Sequence, residues 1–150
     1  MYDALKHSHS GLRWLVLILL VYAIYNAYSR YKAGAKYRGV DKMVNVMTMG
    51  MVHLQIVIGL ILYFVSPIVE AGLSNFGSAM KDSTLRFFVM EHLVMMVAAA
   101  VLITIGYKRG RTAKEPKLMH RRIFVWYTVV LVLILAAIPW PFRFDVSGWF

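Results

Sequence analysis

The sequence predicts an all-α fold, an integral membrane four-helix bundle of up-and-down topology, on three observations. Sixty per cent of the residues are apolar. Only 16% are charged, against about 25% in soluble domains. The apolar residues gather into four long blocks separated by polar stretches, the pattern of a chain whose solvent is lipid.

The blocks place spans at about 12–28, 43–65, 85–106 and 119–138 within a single domain, 1–150. A helix rises about 1.5 Å per residue, so about 20 residues cross the hydrocarbon core. The second block, Met43 to Val65, and the third, Leu85 to Gly106, reach that length outright. The first, Leu12 to Tyr28, and the fourth, Ile123 to Ile138, reach it when their basic flanks snorkel to the interface. Membrane β-strands would alternate in polarity over about 10 residues. Leu15 to Val21 and Val129 to Ile138 are apolar at every position, which excludes that pattern. Pro67, Gly72 and Gly77 punctuate the second connection, and Pro139 and Pro141 follow the last span. Asp3, Lys6, His7 and His9 precede the first block, but Tyr22, Tyr25 and Tyr28 stand where a signal-peptide cleavage site would need small residues. The first block therefore reads as a retained span.

Net charge is +10, and topology accounts for most of it. The connections 29–42 and 107–122 carry 12 of the 17 basic residues. Basic residues in short loops mark the cytoplasmic side. Both termini and the 66–84 connection then face outward. The basic loops suit anionic lipid rather than nucleic acid. Trp14, Trp126, Trp140 and Trp149, with Tyr28, Tyr63 and Tyr107, sit toward span ends, as interface belts do. Cysteine is absent, which removes disulfides, thiolate metal sites and covalent haem attachment. There is no Gly-rich phosphate loop, no His-Glu-x-x-His run and no nucleophile elbow.

A charged side chain costs about 2.5–3.5 kcal/mol to insert at mid-membrane on translocon scales, so polar residues inside spans are informative. Those residues are His53, Glu91 and His92, followed by His9 and Arg13 at the mouth of the first span. Counted from the outer helix ends, His53 lies roughly 18 Å deep and His92 roughly 13 Å deep. The two imidazoles are thus expected within about one turn of each other in depth. A neutral imidazole is a good metal or haem-iron ligand. The structural alternative is an interhelical hydrogen bond. Arg13, Arg86 and Arg143 lie on the outer side, where an anionic group would find a cation. Glu91 is a proton-handling group or the ion-pair partner of Arg13 or Arg86. Met49, Met95 and Met96 lie within a turn of the two span histidines and read chiefly as core filling. His120 sits among Lys117, Arg121 and Arg122 and reads as part of a solvated basic face.

Five strings, LKHSHSGLRWLVL, HLQIVIGLILYFVSP, MKDSTLRFFVMEH, LITIGY and IPWPF, cover nearly the whole chain in order. Together they resemble a family of small four-helix membrane proteins of Bacteroidetes labelled "cytochrome B", broadly similar to cytochrome b561-type bundles. The resemblance implies non-covalent haem b held by histidines, with electrons exchanged with quinol or a partner protein. It maps the family's histidines onto His9, His53 and His92. Cytochrome b561-type proteins hold two haems with four histidines; three well-placed ones here suit one haem, with His120 the fourth only from the cytoplasmic edge.

The expected function is electron transfer by a buried haem b. His53 and His92 are the preferred axial ligands, His9 is the competing outer ligand, and Arg13 and Arg86 hold the propionates. The chain is then an electron carrier or accessory subunit rather than a stand-alone enzyme. The alternative is a cofactor-free scaffold within a homo-oligomer or larger membrane complex. A third reading is a transition-metal site built from His9, His53, His92 and Glu91.

Overall fold

A computed structural model describes residues 2–144, and every regular element among them is helical. The elements are α1 (Tyr2–Lys32), α2 (Gly39–Val65), α3 (Pro67–Ser74), α4 (Phe76–Ala79), α5 (Ser83–Arg86), a π-turn (Phe87–Glu91), α6 (His92–Arg111) and α7 (Pro116–Ala137). α5, the π-turn and α6 run together as one span, Ser83–Arg111. Four helices are thus long and apolar enough to cross a membrane. The expected belt residue Trp149 lies outside the described residues.

All four spans extend beyond their apolar blocks, α1 and α7 the furthest. α1 begins at Tyr2, ten residues before Leu12. Hydropathy marks only the part of a helix embedded in hydrocarbon. Backbone hydrogen bonding continues until a breaker or a cap stops it, and no proline stands between Tyr2 and Lys32. α7 opens on Pro116, whose missing N–H costs nothing in a first turn.

The spans pack as a square in chain order: α1 on α2, α2 on α6, α6 on α7, and α7 back on α1. Short connections make each neighbour antiparallel. The inner faces meet in a core of Val16, Leu20, Val52, Ile103, Tyr127 and Val130. Leu15, Ile18, Val57, Phe64, Val94 and Val132 point outward and are exposed. An apolar surface of that extent would drive association in water but is matched to lipid.

Close helix approach is built in where α6 meets α7. A Cβ at Gly106 would overlap Trp126, and one at Gly110 would lie 2.6 Å from Ile123 Cδ1. The two glycines stand one turn apart on one face, the small-residue spacing that lets membrane helices touch backbones.

The connection between α2 and α6 folds over the end of the bundle where α1 begins. Pro67 starts α3, and Asn75 and Asp82 cap α4 and α5 by accepting from the Ser78 and Leu85 amides at 3.2 and 2.8 Å. At the opposite end, Asp41 is fully buried. It accepts from the Arg38 amide (2.8 Å) and from Asn26 (3.0 Å), and pairs with Arg30 at 2.6 Å. One carboxylate therefore caps α2 and ties it to α1.

Candidate functional site

The π-turn sets up the site. Arg86 Nε donates to Glu91 Oε1 at 2.7 Å. In an α-helix, residues five apart diverge by about 140°, so this pairing needs the wider turn. One residue added to a helix rotates all that follows by about 100°. His92 is the first residue after it.

His92 Nδ1 lies 2.7 Å from the carbonyl of Ala137 at the end of α7. A carbonyl only accepts, so Nδ1 carries the proton and Nε2 keeps the lone pair. Across from it stands His9 of α1, with ring centroids 6.3 Å apart and planes at 79°. His9 Nδ1 is buried with no hydrogen-bond partner among the described residues. Gly59 of α2 makes room for that ring, because a Cβ there would lie 2.8 Å from His9 Cε1. Gln55, one turn deeper, donates to the His9 carbonyl at 2.7 Å and fastens α1 to α2 at this level.

His9, Gln55, Gly59 and His92 line a cavity of about 150 Å³ that runs from the end of the bundle where α1 begins into its interior. Arg13 and Met96 line it as well. Arg13 is buried, and its guanidinium lies 5.4 Å from the Trp14 ring centre. A smaller space of about 40 Å³, bounded by Leu60 and Val97, joins the same two histidines toward the lipid-facing seam between α2 and α6.

The expected pairing of His53 with His92 is not what the helices assemble. His53 Nδ1 donates to the Met49 carbonyl at 2.7 Å, and Nε2 meets the Thr104 hydroxyl at 3.1 Å. Thr104 lies twelve residues beyond His92, about 18 Å along the helix. Equal depth of His53 and His92 requires Val65 and Ser83 to stand level as helix ends. Instead, Tyr63 donates to the Val89 carbonyl at 3.0 Å, so the third span begins above the end of α2. His92 consequently falls near Gly59, and His53 makes the interhelical bond that was its structural alternative.

The other candidates are placed as follows. Glu91 pairs with Arg86, and Arg86 also donates to the Met80 carbonyl at 3.2 Å. Neither lines the cavity, so the expected propionate role of Arg86 has no geometric basis, while Arg13 stands at the cavity. Arg143 lies over Phe87 and Phe144 and donates to the Ala136 carbonyl. Among the described residues, no three His, Asp or Glu side chains converge to hold a metal ion, and the four residues of the third reading are not brought together. His120 is 1% exposed rather than solvated. It packs under Tyr37, whose ring centre is 5.4 Å away. Burial pushes the Tyr37 phenol above the usual tyrosine range, although a hydrogen bond from Asn45 pulls the other way.

Gln55, Gly59 and Asn45 were not singled out from sequence. Gln55 and Asn45 carried a usable signal, since each is an amide inside an apolar block and incurs a cost there unless hydrogen-bonded. Gly59 carried none, because its use depends on a ring from another helix.

No protein-family model, no curated protein and no solved structure matches this chain.

Proposed function

We propose that the protein is a b-type haem electron-transfer protein of a bacterial inner membrane, with periplasmic termini and His9 and His92 as the axial pair. One observation carries this reading, the 6.3 Å separation of the two ring centroids. Two imidazoles on opposite sides of one metal, each bonded at about 2 Å, have ring centres roughly 6 Å apart.

The surroundings support it. The Ala137 carbonyl fixes the His92 tautomer that leaves Nε2 available, a device common to metal-binding histidines. His9 holds a buried ring nitrogen in want of a partner. Gly59 supplies the clearance beside His9 that a side chain would fill. Arg13 brings a cation to the cavity wall, suited to a propionate. The cavity wall is otherwise largely apolar, with Val16, Val52, Ala99 and Ile134. When bound, the haem supplies one-electron redox chemistry; the protein supplies ligation, burial and charge. The seam between α2 and α6 offers a lipid-side approach for quinol, and the outer mouth one for a partner protein.

A second reading has its own observations. The His53–Thr104 and His92–Ala137 contacts are complete interhelical hydrogen bonds. They suit a cofactor-free scaffold that packs in a homo-oligomer or a larger membrane complex. An absorption spectrum of the detergent-solubilised protein separates the two. A Soret band, with split α and β bands on reduction, is expected; a colourless protein that takes up no added haemin would leave the scaffold.

A further inference from the structure

The run Pro139-Trp140-Pro141 ends α7 and decides how His92 is held. In an α-helix each carbonyl accepts from the N–H four residues on. Pro139 and Pro141 have no N–H, so the Leu135 and Ala137 carbonyls lose their helical donors. Ile138 leaves the helix at ψ 128°, as a residue ahead of a proline does. The Trp140 N–H turns to the Ile138 carbonyl at 2.9 Å and so leaves the Ala136 carbonyl.

Side chains replace all three donors. Trp140 Nε1 donates to the Leu135 carbonyl at 3.0 Å, Arg143 Nη1 to that of Ala136 at 3.1 Å, and His92 Nδ1 to that of Ala137 at 2.7 Å. Trp140 and Arg143 belong to the turn itself. His92 comes from α6 and is half of the proposed axial pair. Its acceptor is open to it because the residue four places on is a proline.

Arg143 also touches the ring that packs on His92. Its guanidinium lies 4.9 Å from the Phe87 ring centre and 5.1 Å from that of Phe144. Phe87 and Phe144 are buried, with ring centres 4.5 Å apart. Phe87 in turn meets the His92 ring at 5.7 Å. Arg143 therefore reaches His92 by two routes, through the carbonyl next to the one His92 uses and through Phe87. A planar guanidinium suits both, since it stacks on aromatic faces while donating in its own plane. Its charge also complements the negative end of α7.

We propose that Arg143 is a positioning residue for His92. With the 139–144 turn it holds the end of α7 and Phe87 in place, which keeps the His92 proton on Nδ1 and the lone pair on Nε2. What that lone pair binds rests on the haem reading; the lock on the ring does not.

Histidine-selective nitrogen-15 NMR on the full-length protein in lipid nanodiscs tests this. The sample is kept reduced, so that low-spin iron, where present, is diamagnetic. The quantity read is the exchange of the His92 Nδ1 proton with water. The His53 Nδ1 proton, bonded to the Met49 carbonyl, is the internal reference. Arg143→Gln should speed exchange at His92 about tenfold, the usual size for losing one charge-assisted hydrogen bond, and leave His53 unchanged. Arg143→Lys keeps the charge and a donor and should recover part of the protection. Trp140→Phe removes the cap on Leu135 and should leave His92 near the wild-type rate. Wild-type exchange in Arg143→Gln, no recovery in Arg143→Lys, or equal acceleration in Arg143→Gln and Trp140→Phe would each overturn the proposal. Soret absorption of the same samples scores the haem reading separately. A colourless protein whose His92 proton still depends on Arg143 removes the haem and keeps the lock; a haem-loaded protein indifferent to Arg143 does the reverse.

Discussion

The imidazoles of His9 and His92 meet near the end of the bundle where α1 begins, at 6.3 Å between ring centres, although they stand 83 positions apart in the chain. Each is held by something outside its own helix. His92 is tied to the Ala137 carbonyl of α7, and His9 is seated against Gly59 of α2. The pair therefore reports on the packing of all four spans.

Gly59→Ala is the sharpest probe of that seating. The added methyl would lie 2.8 Å from His9 Cε1 and must push the ring aside. Overpacking of this kind costs about 1–3 kcal/mol. Haem retention should fall while helix content by circular dichroism is unchanged. Gly50→Ala, where a Cβ meets nothing within 4 Å, is the control and should retain haem normally.

The α6–α7 contact predicts a stability effect without a site effect. Gly106→Val drives a side chain into Trp126 and should lower stability by about 1–3 kcal/mol or more. Thermal unfolding in detergent measures it. An unchanged midpoint would show that the two helices are not in backbone contact there.

Asp41 predicts the largest loss. Its carboxylate is 1% exposed and receives Arg30, Asn26 and the Arg38 amide. Removing one partner of a buried ion pair costs about 3–5 kcal/mol, and the Arg30 side chain, 24% exposed, recovers part of that through water. Asp41→Ala should therefore destabilise more than Glu91→Ala, whose pair with Arg86 is 31% and 38% exposed.

Alkaline pH acts on Tyr37. Its folded phenol titrates above the ordinary value because of burial. Between the unfolded and folded values, only the unfolded chain has released the proton. Stability is thus full below the ordinary tyrosine range and declines as pH rises through it. Tyr37→Phe should flatten that decline in denaturation midpoints measured from neutral to alkaline pH.

The four spans were legible because lipid imposes a solvent requirement on every outward residue, and blocks such as Val129 to Ile138 meet it without interruption. The polar residues worth watching were legible for the same reason. Their pairing was not. Which imidazoles meet depends on axial register and azimuth, and the π-turn at Phe87–Glu91 alters both without a hydropathy signature. His120 shows the complementary limit. Its basic neighbours Arg121 and Lys117 are exposed, but successive helical residues point about 100° apart, and His120 takes the inward direction. Composition around a residue says little about the face it occupies.

In the proposed haem site, His9 and His92 rather than His53 would hold the iron. The direct measurement is haem per protein after purification of His9→Ala, His92→Ala and His53→Ala, read by pyridine haemochrome. Near-complete loss is expected in the first two and near wild-type content in the third. Full haem in His9→Ala or His92→Ala, with loss in His53→Ala, would contradict it.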